Sequence, residues 1–148
     1  MTRNVITRGE AETIEAGRAL GCALGLGAVV LLTGELGSGK TAFVKGLAEG
    51  AGVDPEEVSS PTFALVQEYR GCVPFYHVDL YRVTSAEADD LGLDELRDHG
   101  IVAIEWAEKL KVTPPGAVEV RLDDLGGDDR RLAIRGPEPG LGADWRLF

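Results

Sequence analysis

The chain has 148 residues and a mass of 15.7 kDa, which at roughly 100 to 200 residues per domain leaves room for one domain and excludes two. Hydrophobic residues make up 44% and charged residues 27%, the proportions of a chain with its own core, which rules out disordered, collagen-like and disulfide-built architectures. A formal charge of −10, from 15 basic against 25 acidic residues, repels phosphate backbones and argues against a nucleic-acid binder acting alone.

In chain order, residues 13–26 carry Ile14, Leu20, Ala23 and Leu24 at helical spacing, which predicts an amphipathic helix despite its glycines. Residues 28–33 form a continuous apolar, β-branched run without polar alternation, as expected of a parallel strand buried on both faces. Helical period returns over residues 40–48 with Phe43, Val44 and Leu47. Asp54, Pro55 and Glu57 have the order of a helix start, closed by Ser59, Ser60 and Pro61. Residues 63–69 and 73–79 read as a hairpin turning at Arg70 and Gly71. Thr84 to Glu87 is a capping box opening a helical stretch to Arg97 that Gly92 interrupts. Residues 101–104 form a second buried-type strand. Beyond Pro114 and Pro115, the alternation of Val118, Val120 and Leu122 with Leu132 and Ile134 around Gly126 and Gly127 predicts another hairpin.

This order predicts an α/β fold: a single three-layer domain of the P-loop NTPase type over residues 1–135, its mainly parallel central sheet extended by antiparallel hairpin strands. Residues 136–148 read as a tail, whose Trp145, Leu147 and Phe148 can dock on the body. Cys22 and Cys72 stand fifty positions apart with no metal-ligand spacing, so both read as reduced thiols. No secretory signal follows Met1, and the longest apolar run, 22–32, falls short of the roughly 18 residues of a membrane span. A cytoplasmic protein without membrane attachment is expected.

The strongest motif is Gly34-Glu35-Leu36-Gly37-Ser38-Gly39-Lys40-Thr41, which fits G-x-x-x-x-G-K-[ST] at every fixed position, with a buried strand before it and a helix after it. Glycines let backbone N–H groups wrap phosphates without side-chain clash, and the helix that begins at Lys40, Thr41 and Ala42 directs its positive end at them. Lys40 adds a point charge at the β and γ oxygens, and the Thr41 hydroxyl is a Mg²⁺ ligand. Asp79 and Glu105 both close apolar strands, at the edge where open α/β sheets bind ligands. Either acid alone also fits a solvated strand end. Ser59 to Thr62 has the place of a loop able to follow the γ-phosphate. His77 reads as a packed or hydrogen-bonded histidine rather than a catalytic base, and Trp106 fits a core position as well as an exposed platform. Glu87, Asp89, Asp90, Asp94, Glu95 and Asp98 read as a solvated helix face, or one docked on a basic partner. None of the four lysines is followed two places on by Asp, so the guanine signature is missing and ATP is the expected nucleotide.

Four separated segments, 34–41, Ser-Pro-Thr-Phe-Ala-Leu-Val-Gln-Glu-Tyr (60–69), His-Val-Asp-Leu-Tyr-Arg (77–82) and Ile-Glu-Trp-Ala-Glu-Lys (104–109), make the chain resemble the bacterial TsaE (YjeE) family from about residue 8 to 135. The resemblance implies a small ATPase required for threonylcarbamoyl modification of the adenosine beside the anticodon in tRNAs. It also implies work with the TsaB and TsaD proteins, tRNA being held by those partners, and ATP hydrolysis that is weak alone and resets the complex. On that likeness Lys40 and Thr41 contact phosphate and Mg²⁺, and Thr62 is the switch hydroxyl. Asp79 and Glu105 are the metal and water-positioning acids, Trp106 neighbours the site and Arg130 reaches the nucleotide. Ser38 stands where the family more usually has alanine, a change expected to be without consequence. Two other functions fit the same loop: a small-molecule kinase with Asp79 as base, and an adaptor that binds nucleotide without hydrolysing it.

Overall fold

A computed structural model describes residues 2–35, 37–58 and 65–136. The apolar run 28–33 becomes strand β2, Val29–Thr33, in the middle of a seven-stranded sheet. Following β1 (Thr2–Arg8), β3 (Val66–Arg70), β4 (Pro74–Asp79), β5 (Ile101–Glu105), β6 (Val118–Gly126) and β7 (Asp129–Arg135), the strand order is β1-β7-β6-β2-β5-β4-β3. The four central strands β6, β2, β5 and β4 run parallel; β3 pairs antiparallel with β4 on one edge, and on the other β7 pairs antiparallel with β6 and β1 antiparallel with β7. The predicted α/β class and its mixed sheet are thus what the chain forms.

Alternation along the inner strands divides the core. Val30 and Leu32 face one layer with Phe43, Val44 and Leu47, whereas Val29 and Leu31 face the other with Val83, Ala88 and the half-buried Leu93 and Leu96. The first layer is α1 (Glu10–Ala23) and α2 (Lys40–Gly50); the second is α3 (Ser85–Asp89) and α4 (Leu93–His99). With four aliphatic residues buried on two faces, β2 needs no polar alternation.

Helices α1 and α2 meet backbone to backbone. Gly17 and Gly21 of α1 face Gly46 and Gly50 of α2, and a Cβ at any of the four would be driven into a carbonyl oxygen of the other helix. These two small-x-x-x-small pairs fix where α2 begins relative to the sheet. They account for part of the glycine content that reads as unfavourable for helices.

Several boundaries differ from the sequence reading. Helix α1 runs from Glu10 rather than Thr13 and ends at Ala23 rather than residue 26. Its first turn is acidic instead of apolar, and Leu24 is already extended. The hairpin before Asp79 turns at 71–73, one residue later than Arg70 and Gly71 place it. The stretch after Thr84 is interrupted at Gly92 as read, where φ of 70° is left-handed, and forms two short helices, α3 and α4; the second runs on to His99 rather than ending at Arg97. Strand β1 has no counterpart in the sequence reading. The predicted residues 59–64 and the tail beyond Gly136 lie outside the described residues.

Candidate functional site

Parallel strands bring their C-terminal ends to one edge, and there the chain places its chemistry. Strand β2 ends at Thr33 and the glycine-rich loop follows, turning at Gly34, Gly37 and Gly39 with φ of 146°, 80° and 100°. At Gly34 the need for glycine is also steric, since a Cβ would lie 2.6 Å from the Leu122 carbonyl oxygen and 2.7 Å from Ser38 Oγ. At Gly37 a Cβ would meet nothing within 4 Å, so the backbone there fronts open space. A cleft of about 650 Å³ lies over this loop, with Lys40, Thr41, Asp79, Glu105, Trp106 and Arg130 among its walls.

The β4–β5 register pairs Asp79 with Glu105, and β5 pairs Glu105 with Leu32 at the end of β2. Both carboxylates therefore sit on the α1/α2 face, opposite the first turn of α2. Thr41 donates its hydroxyl to Glu105 Oε1 at 3.4 Å. His77, two residues before Asp79 on the same strand face, places Nε2 2.5 Å from Glu105 Oε2. Glu105 is only 4% exposed and His77 7%, so the pair is an inner feature of the site. Asp79 is less enclosed, and its Oδ1 accepts from the Tyr81 backbone N–H at 3.0 Å.

Lys40 is buried. Its ammonium donates to the carbonyls of Gly34 and Glu35 and lies 3.8 Å from the centroid of the Trp106 ring. Burial pushes the amine below the ordinary lysine value, while the negative charges of Glu105, Glu108 and Asp79 oppose that shift. Trp106 holds its place through a left-handed backbone, φ 60°, a conformation that costs a non-glycine residue about 1–2 kcal/mol. Its ring packs on Tyr81, with centroids 5.0 Å apart. Lys109 donates to the carbonyls of Tyr81 and Val83 at 2.7 and 2.8 Å, joining the turn after β5 to the loop after β4.

Arg130 reaches the loop from β7. It donates to the Gly37 carbonyl at 3.2 Å and pairs with Asp124 at 3.1 Å. Of the residues read as site candidates, Gly34, Glu35, Gly37, Ser38, Gly39, Lys40, Thr41, Ala42, Asp79, Glu105, Trp106 and Arg130 fall on or beside the loop and cleft. Leu36 and Thr62 lie outside the described residues. Trp106 resolves as both core and platform, half-buried against the α3/α4 layer and facing the cleft. Ser38 Oγ is buried and has no hydrogen-bond partner among the described residues. Two groups escape the sequence reading: Gly9, Glu10 and Thr13 at the start of α1, and Leu65, Tyr81 and Asp128 at the rim. The first group carries no chemical signature, although the late start assigned to α1 also hid it.

Fold and site together define a three-layer α/β protein in which a glycine-rich strand-to-helix loop, a buried lysine and two strand-end carboxylates converge on one cleft. The family model for threonylcarbamoyl adenosine biosynthesis protein TsaE matches residues 7–132, and the chain belongs to the TsaE family. The tRNA threonylcarbamoyladenosine biosynthesis protein TsaE of Bacillus subtilis (strain 168) is 41% identical over 111 residues, covering 73% of this chain and 69% of its own. The protein of the same name from Treponema pallidum (strain Nichols) is 39% identical over 132 residues, 87% of this chain and 97% of its own. The crystal structure of Bacillus subtilis YdiB superposes with a TM-score of 0.74 at 29% identity, over 99% of this chain and 90% of that one. No helix among the described residues is long and apolar enough to cross a membrane.

Proposed function

We propose that this chain binds ATP with Mg²⁺ in the cleft over residues 34–41 and hydrolyses it in support of tRNA threonylcarbamoyladenosine formation, acting with TsaB and TsaD. The observation that carries the reading is the convergence of Lys40 and Thr41, at the start of α2, with the register-paired Asp79 and Glu105. Family membership supplies the pathway, and the acidity of the chain favours partners holding the tRNA.

The donor set fits Mg²⁺. Thr41, Asp79 and Glu105 offer hard oxygens only, and among the described residues no cluster of three acidic, histidine or cysteine side chains forms a dedicated metal cage. Mg²⁺ is commonly held by one or two carboxylates while keeping water and phosphate oxygens. Bound beside a triphosphate, it neutralises charge developing on the transferred group. The chain's own part is positioning. Backbone N–H groups of the loop and Lys40 hold the phosphates, Thr41 and Asp79 hold the cation, and the Glu105 carboxylate orients water. Arg130, tied to Gly37, steadies the loop from the far wall.

ATPase activity measured with and without TsaB and TsaD, with Lys40→Ala as control, tests this reading. Turnover that rises with the partners and vanishes in Lys40→Ala supports it; a partner-independent rate of tens per second contradicts it. Glu105→Ala separates an ATPase from an adaptor: hydrolysis lost with binding kept supports the enzyme, whereas unimpaired tRNA modification after that loss favours the adaptor.

A further inference from the structure

We propose that His77 is a positioning residue for Glu105, fixing through one hydrogen bond which carboxylate oxygen faces the Thr41 hydroxyl and the cleft. This inference rests on the ATPase reading above.

The argument starts from the strand. His77 and Asp79 alternate on β4, so both project to the face where Glu105 stands on β5. Only Asp79 borders the cleft directly; His77 lies deeper, at 7% exposure, and touches Glu105 from the side away from Thr41. The two Glu105 oxygens are thus divided, Oε2 to His77 Nε2 at 2.5 Å and Oε1 to Thr41 Oγ1 at 3.4 Å. An ionised carboxylate only accepts hydrogen bonds, so Nε2 must carry the proton and donate it. A carboxylate with one oxygen held this way cannot rotate freely about its terminal torsion, which is otherwise broad. Glu105 also cannot swing toward the Lys40 ammonium and form a closed ion pair. A buried acid that must present one oxygen at a fixed angle needs such a second partner, as ligands at metal sites do.

Two independent readouts test the assignment. The chain contains two histidines, His77 and the exposed His99, so ¹⁵N-histidine spectra follow both rings, with His99→Gln giving the assignment. His77 is expected as the Nε2–H tautomer with a downfield ring proton, and Glu105→Ala is expected to shift that proton without moving His99. In kinetics, His77→Leu is expected to lower kcat about tenfold or more while leaving KM for ATP nearly unchanged. ATP affinity measured with Mg²⁺ or in EDTA should stay near that of the wild type, so that the loss falls on kcat alone. His77→Gln, which keeps an N–H donor at a similar reach, is expected to recover most of kcat. An Nδ1–H tautomer, or a ring proton insensitive to Glu105→Ala, overturns the proposal. So does a His77→Leu protein that folds and shows wild-type kcat, or one that loses ATP binding equally with and without Mg²⁺ and is not rescued by glutamine. If wild-type protein with TsaB and TsaD hydrolyses no ATP, the functional reading falls and this inference with it; an active wild type with an unaffected His77→Leu removes the inference alone.

Discussion

The two helical layers of this molecule are built on different rules. Helices α1 and α2 touch through glycine backbones, with no side chain between Gly17, Gly21, Gly46 and Gly50 and the opposing carbonyls. Helices α3 and α4 are short, cover the sheet with half-buried leucines such as Leu93 and Leu96, and turn Glu87, Asp89, Asp94 and Glu95 to solvent. The layer that starts at the functional loop therefore has one allowed spacing, and the layer behind it tolerates adjustment. Precision is concentrated where Lys40 and Thr41 must meet Asp79 and Glu105.

The same substitution made in each layer breaks or sharpens this contrast. Gly46→Ala puts a methyl against the Ile14 carbonyl. Overpacking of about 3 kcal/mol exceeds the helix-propensity gain of about 1 kcal/mol. A net loss of about 2 kcal/mol is expected in chemical denaturation, together with weaker ATP binding because α2 is displaced. Gly92→Ala meets only Glu95 Oε2 at 3.9 Å and is penalised by its left-handed backbone alone, so a loss of about 1–2 kcal/mol with unchanged ATP binding is expected. Thr84→Ala removes the capping box in which Thr84 accepts from the Glu87 N–H at 3.1 Å and Glu87 answers at the same distance. It should cost about 1 kcal/mol. Smallest is Ser38→Ala, which removes a buried hydroxyl that has no partner among the described residues and is expected to raise stability by up to about 1 kcal/mol in the same assay. Gly46→Ala and Gly92→Ala proteins that fold and weaken ATP binding equally would erase the distinction between the layers.

What could be read from sequence follows the same physics. Strands β2 and β5 announce themselves because burial on both faces leaves no polar position to blur the pattern, and the loop between β2 and α2 has fixed residues whose spacing is dictated by backbone approach. The break at Gly92 and the cap at Thr84 were equally legible, being local chemistry. Strand β1 was not, because an edge strand carrying Arg3, Asn4 and Arg8 shows no apolar period and is specified by its ladder to β7, from Thr2 opposite Arg135 to Arg8 opposite Asp129. The glycines of α1 and α2 looked like a cost until their partners across the helix contact were placed. For the site, residue types located Asp79 and Glu105. The His77 bond to Glu105 and the Lys109 bridge between two loops depend on cross-strand register, which no single segment encodes.

The central claim, that residues 34–41 form a triphosphate site with Mg²⁺ beside them, is tested most directly by calorimetric titration of ATP into the folded protein with Mg²⁺ present, in parallel with Lys40→Ala. Saturable binding to one site, weakened by EDTA and abolished in Lys40→Ala, is the predicted result. Folded wild-type protein that takes up no ATP, or Lys40→Ala binding as well as wild type, would contradict it.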